Sequence, residues 1–326
     1  KDQFTQANQR FSEAIAAFLA RAKTAPPPAA NELAVDLEWA NRARCDQAEM
    51  FLRIEKNKEA NDLLTPLLAD TTLAKSKYRP QMLYLHGHAS FLLKDYITAG
   101  RSLSQLVPFA DPVFGVHTRY LLARVHHIAD EREEATALYD AVVKGYDKQK
   151  ADGQKVLQNQ AAFANQPEEK ARLEALIKSP PDYVSRASFY WGVLLYEQKK
   201  TGEALTRFTE FATKFPQSPL LQEAQLRAGM CQVELRAFPP AIALLQPLAA
   251  HPQLSDRALL WLGRAQFGAA DPTQPQPFAQ ALTTAIGSLT QSADKANQQI
   301  ANDPEAKLRR AEVLLELGDY QQLAKQ

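Results

Sequence analysis

Five of the six histidines in this 326-residue chain fall close together: His86 and His88 in HGH, then His117, and His126 beside His127. Imidazoles in such a group could ligate a metal or move protons. A zinc site needs several ligands that converge, each steadied by a further hydrogen bond. Side chains two apart on a helix point to nearly opposite sides, so His86 and His88 cannot easily share one ion. His88, His117 and His127 could face a common groove, where they read better as lining polar residues than as ligands. Cys45 and Cys231 stand far apart in no metal-type spacing. They read as two buried free thiols and not as a disulfide framework. The acid pairs Glu133–Glu134 and Glu168–Glu169 suit helix starts and solvated faces. Lys148, Lys150 and Lys155 lack the interleaved aromatics of a nucleic-acid surface. The chain carries no GxGxxG, GxxxxGK[ST], HExxH, CxxC or GxSxG. With those patterns goes the usual equipment for nucleotide, metal or nucleophilic chemistry. The expectation is a non-enzyme with no catalytic residue, cofactor or metal.

Bulk composition agrees. Apolar residues make up 45% and charged residues 23%, ordinary for a packed protein, and only 12 glycines are present. A net charge of +1 gives no pull toward nucleic acid or an anionic membrane. No run approaches the roughly 20 apolar residues that span a bilayer.

What must position any functional side chain is a repeat. Gly192 is followed twelve residues later by Ala204, and then by Phe208 and Phe211. The same ruler fits Ala48, Ala60, Leu64 and Leu67; Gly87, Ala99, Leu103 and Leu106; Ala123, Ala135, Tyr139 and Val142; and Gly229, Ala241, Leu245 and Leu248. Positions four and seven apart share one helix face. Two small residues at this interval suit two helices that cross closely after a short turn. Turn residues stand between them in LKDY (93–96), ADEREE (129–134), QKKTGE (198–203) and LGDY (317–320). Pro108, Pro216, Pro219 and Pro252 punctuate the ends of second helices. The unit is a helix–turn–helix of about 34 residues.

On these residues, Trp191, Gly192, Ala204, Phe208, Phe211 and Pro216 above all, the chain resembles the tetratricopeptide repeat family. The resemblance implies an all-α, right-handed superhelical α-solenoid of helix–turn–helix repeats. KFPQSP (214–219) is similar to bacterial envelope members, the outer-membrane assembly lipoproteins and Tol–Pal coordinating proteins, and implies a periplasmic or envelope location, with the cytoplasm as the alternative. It further implies that first helices line a concave groove for a protein or peptide. The groove residues would be Tyr84, His88 and Phe91; His117, Tyr120, Arg124 and His127; Arg186, Phe189, Tyr196 and Glu197; and Arg257, Arg264 and Phe267. Their spacing within each helix independently places them on one stripe, and Tyr, Phe, Arg and His suit an interface. Part of the aromatic set is expected to pack between repeats instead. The family's carboxylate clamp of lysines, arginines and an asparagine is not evident.

The expected organisation has a capping helix and Pro-rich linker over 1–30, repeats one to three over 31–146, and a helical insert over 147–181. Repeats four and five cover 182–252. A degenerate sixth repeat with a Pro-rich loop at 269–278, and a truncated seventh, fill 253–326. Ala311 to Leu323 matches the interval of the ruler, so 314–326 reads as a first helix and turn, with Leu314, Leu315 and Leu317 partly uncovered. The chain thus reads as the N-terminal portion of a longer protein. Two functions follow as expectations: a non-catalytic scaffold gripping a partner's peptide or helix, or an architectural segment of an envelope or coat-like assembly.

Overall fold

The computed structural model describes residues 2–26, 28–29, 32–158 and 167–325. Pro27, Ala30 and Asn31 of the expected linker, and 159–166 of the expected insert, lie outside them. Every regular element among the described residues is a helix. The chain divides into two compact units, Lys1–Lys178 and Ser179–Gln326. Both are all-α arrays of helix–turn–helix repeats, the fold class the spacing predicts.

The first unit runs α1 (Asp2–Ala22), α2 (Val35–Arg53), α3 (Asn57–Ala69), α4 (Arg79–Leu92), α5 (Tyr96–Ser104), α6 (Gly115–Ile128), α7 (Arg132–Gln158) and α8 (Pro167–Lys178). Each helix packs on the next, and the first helices α2, α4 and α6 also touch in series. Helix α1 lies against α2 through Phe18 stacked on Trp39 and a Gln47–Ser12 hydrogen bond of 2.8 Å. The far end of α7 is covered by α8: Leu173 and Ile177 close over Gly153, and Tyr146 Oη donates to the Leu176 carbonyl at 3.1 Å.

The second unit runs α9 (Asp182–Glu197), α10 (Thr201–Lys214), α11 (Leu221–Glu234), α12 (Phe238–Leu245), α13 (Ser255–Gly268), α14 (Pro275–Gln299) and α15 (Ala306–Leu323). It too packs in series, with α11 against α13.

The ruler has a direct geometric cause. The first small residue of each hairpin meets the bulky residue sixteen positions on. A Cβ on Gly87 would lie 2.6 Å from Leu103 Cγ, one on Gly229 2.7 Å from Leu245 Cγ, and one on Gly192 2.8 Å from Phe208 Cε1. The second small residues, Ala60, Ala99, Ala135, Ala204 and Ala241, are fully buried, as are Leu64, Leu103, Tyr139 and Leu245. Small residues let the two backbones approach, and the large one fills the wedge beside them.

The turns share a second device. Glu55, Lys94, Asp130, Lys199 and Arg236, each seven residues after the first small position, have φ of 60–63°. The residue after each donates its N–H five residues back, for example Asp95 to Ser90 and Lys200 to Leu195, both at 2.9 Å. This is the left-handed C-terminal cap that Gly usually supplies, and here no glycine supplies it.

Three expectations are corrected. The loop at 269–278 ends earlier, because Pro275 starts α14, where its missing N–H and fixed φ suit a first turn. Gly263 of α13, outside the five ruler matches, meets its bulky partner at Leu289, twenty-six residues on. LGDY at 317–320 is no turn, since α15 runs through it. Leu317 packs with Leu260, Leu289, Ala293 and Val313, and Tyr320 lies 4.5 Å from Phe267, so tertiary burial holds the helix past Gly318. Ala311 is exposed, and Ala306, Val313 and Leu317 face the core in its place.

Candidate functional site

In the first unit α4 and α6 bring Tyr84, His88, His117 and Tyr120 together. Tyr84 stacks on Phe114 with ring centroids 4.9 Å apart, and its hydroxyl lies 2.8 Å from His117 Nδ1. The edge of His117 meets His88 at 5.0 Å, and its face meets Tyr120 at 6.0 Å. Burial pushes His88 down to about 4. Burial, then the neighbouring His88, pushes His117 down to about 3. Both are neutral at pH 7 by a wide margin.

His86, on the opposite side of α4, is buried between Thr65 Oγ1 at 3.1 Å and Ser102 Oγ at 2.9 Å. It joins α3, α4 and α5 and takes no part in the first-helix surface. His127 turns to the core Tyr139 hydroxyl at 3.0 Å, with Arg124 Nη1 3.4 Å from its ring nitrogen. His126 pairs with Glu131 across the hairpin turn. Phe91 packs on Tyr96 at the next turn. The histidines thus do three separate jobs, and no three metal-ligating side chains converge among the described residues.

A cleft of about 310 Å³ opens between α2, α4 and the start of α6, lined by Glu49, Leu52, Arg53, Tyr84, His88 and Phe114 among others. His117 stands behind this wall. Tyr120 is buried, in line with part of the aromatic set packing between repeats.

In the second unit the corresponding first helices, α9, α11 and α13, form a cleft of about 550 Å³. Its charged centre is Glu223 of α11. Arg257 of α13 grips that carboxylate with both guanidinium nitrogens at 2.9 and 2.8 Å, and Arg227 adds a third bond at 3.1 Å. Two cations on one anion leave the cleft centre positive, as bidentate arginine geometry allows. Phe189 supplies the apolar floor; it is 4% exposed, packed on Phe208 and Phe211 beneath Arg227.

The other residues of this half go elsewhere. Arg186 pairs with Asp182 on the outer turn of α9. Tyr196 donates to Glu234 of α11, and burial followed by that bond raises its phenol. Glu197 is exposed. Arg264 lies over Trp261 and binds Glu316 at 2.8 Å and Glu312 at 2.7 Å, while Phe267 packs on Tyr320, so α15 covers both.

Sequence reading missed Glu49, Leu52, Arg53, Phe114, Glu223 and Arg227. Glu49–Arg53 and Glu223–Arg227 were visible as four-residue spacings of opposite charge on first helices. Phe114 precedes its helix and carried no periodic signal.

Helical hairpins with a small-residue ruler and first-helix clefts define a helical-repeat protein. Residues 186–218, most of α9 and all of α10, match the tetratricopeptide repeat family model. No curated protein matches the chain by sequence. Among solved structures, the apo form of RapI shares the fold with a TM-score of 0.57 at 12% identity, over 98% of this chain and 86% of that one. The TPR2AB domain of yeast Sti1, solved with pHSP90, aligns over 88% of this chain and 98% of its own at 14% identity, with a TM-score of 0.33. A signal-transduction ATPase with a tetratricopeptide repeat sensor from Pyrococcus horikoshii aligns over 98% and 54% at 10% identity, with a TM-score of 0.34. At such identities the likeness concerns the fold.

Proposed function

We propose that this protein is a non-catalytic scaffold that holds a peptide or helix of a partner protein on the surface built by its first helices. One observation carries the reading: each unit independently opens a cleft along its own first helices, with an aromatic floor and fixed charged side chains above it. Buried anchors flanked by oriented polar groups are how protein interfaces concentrate binding energy. The repeat family matched at 186–218 supports the same use. Location in the bacterial envelope is part of this proposal and rests on the KFPQSP segment; fractionation of the source cell tests it, and a cytosolic pool would sink it.

The test is a pull-down comparing the wild type with Val113→Asp, Arg257→Glu and a control away from both clefts, Ile97→Glu in the separate α5–α6 cleft. Val113 and Ile97 are 67% and 71% exposed, so both variants should fold. A partner lost with either cleft variant and kept with the control supports the scaffold. A partner lost only with Ile97→Glu overturns it.

A second reading, an architectural segment of a larger assembly, is favoured by α15. Its outer face presents Leu308 and Leu315, 74% and 73% exposed. A Leu308→Glu, Leu315→Glu pair that breaks an assembly seen by light scattering would support this reading; a monodisperse monomer for both proteins would count against it.

A further inference from the structure

The two clefts differ in chemistry, and the first-unit cleft is built for an uncharged guest. Its floor is the Tyr84–Phe114 stack, with Leu52 and Leu85 beside it and Val113 exposed at the rim. The charges that line it cancel: Arg53 binds the Glu49 carboxylate through Nη2 at 2.6 Å and Nε at 3.1 Å, both on α2. From α4 and α6 the titratable groups are His88, Tyr84, His117 and Tyr120, and the burial that surrounds the imidazoles holds them uncharged. Tyr84 is fixed from behind by His117, so the floor is organised before any guest arrives. A volume of about 310 Å³ lies at the small end of ligand pockets, room for one large side chain and not for an extended molecule. A charged guest would lose its hydration here and meet no unpaired opposite charge among the lining residues Glu49, Arg53 and His88. An aromatic or branched guest would stack on a prepared surface at little ordering cost.

We propose that the cleft between α2, α4 and the start of α6 receives an uncharged apolar side chain, aromatic or branched aliphatic, from a partner polypeptide, seated on Tyr84 and Phe114. This deepens the scaffold reading and rests on it. The contrast lies within the same chain, since the second-unit cleft centres on Arg227 and Arg257 sharing Glu223.

The experiment selects a displayed library of random twelve-residue peptides on the whole chain and measures the enriched peptides against three proteins. These are the wild type, Val113→Asp, which sets a carboxylate at the exposed rim, and Arg257→Glu in the other unit. The expected result is a peptide class sharing one Trp, Phe, Leu or Ile anchor, losing roughly tenfold or more of its affinity to Val113→Asp and little to Arg257→Glu. Replacing the anchor by Asp or Lys in the peptide should abolish binding to the wild type. Peptides that respond only to Arg257→Glu, or whose anchor for the Val113 cleft is charged, overturn this inference and leave the scaffold standing. Peptides indifferent to both variants, or no enriched peptide at all, overturn the scaffold reading and this inference with it.

Discussion

Gly229 and Gly287 stand in helices of the same unit, and alanine should act on them with opposite sign. At Gly229 an added Cβ would sit 2.7 Å from both Cγ and Cδ2 of Leu245, about 1 Å inside normal carbon contact. Cγ is a branch point on a fully buried side chain and has nowhere to retreat. Overpacking of this kind costs about 1–3 kcal/mol. The helix-propensity gain of Gly to Ala, about 1 kcal/mol, offsets part of it. A net loss of up to about 2 kcal/mol follows. At Gly287, inside α14, nothing lies within 4 Å, so Gly287→Ala keeps only the gain, roughly 0.5–1 kcal/mol. Urea unfolding followed by circular dichroism, with both variants beside the wild type, gives the two signs. A Leu245→Ala background adds a second arm: it costs about 2–5 kcal/mol alone, and there Gly229→Ala should become neutral or stabilising because its methyl enters the vacated space. If Gly229→Ala stabilises as much as Gly287→Ala, or costs the same with and without Leu245, the wedge argument fails.

Three further outcomes follow. His88 and His117 titrate at about 4 and about 3 in the folded chain against 6.5 unfolded, so unfolding takes up protons as pH falls below about 6.5. Stability is complete above that pH and is lost toward the folded values, by up to about 2 kcal/mol per histidine at pH 5; a His88→Gln, His117→Gln protein should lose less between pH 7 and pH 5 in the same denaturant assay, and equal losses would refute the assignment. Lys94 and Lys199 hold a left-handed conformation that disfavours side chains, so Lys94→Gly and Lys199→Gly should each raise stability by several tenths to about 1 kcal/mol, where Gly at an ordinary helical site would lower it. Burial pushes the thiols of Cys45 and Cys231 up to about 12, so both should react with a disulfide reagent only as fast as the protein opens; immediate labelling in native buffer would contradict their burial.

The repeat was legible because close helix crossing has a local code. A small residue, a second one twelve on, and a wedge sixteen on are all fixed by helix pitch and a short turn. What failed was wherever distant burial outvoted a local signal. Gly318 stands where a turn glycine belongs, yet Leu317 and Tyr320 find partners that keep α15 helical. The real turn residues, such as Lys199 and Arg236, gave no glycine to read. Of the stripe expected to line a groove, Tyr84, His88, Phe189 and Arg257 reach clefts. Arg264 and Phe267 are covered by residues about fifty positions away, which no helical spacing reports.

The most direct measurement places a photo-crosslinking amino acid at three sites in turn: Gln81 in the first-unit cleft, Gln222 in the second, and Ile97, exposed on α5 at a separate cleft between α5 and α6. Each protein is irradiated with its captured partner, and the linked peptide is identified by mass. The scaffold account predicts adducts to one short partner segment from Gln81 or Gln222 and none from Ile97. Adducts confined to Ile97 would contradict it.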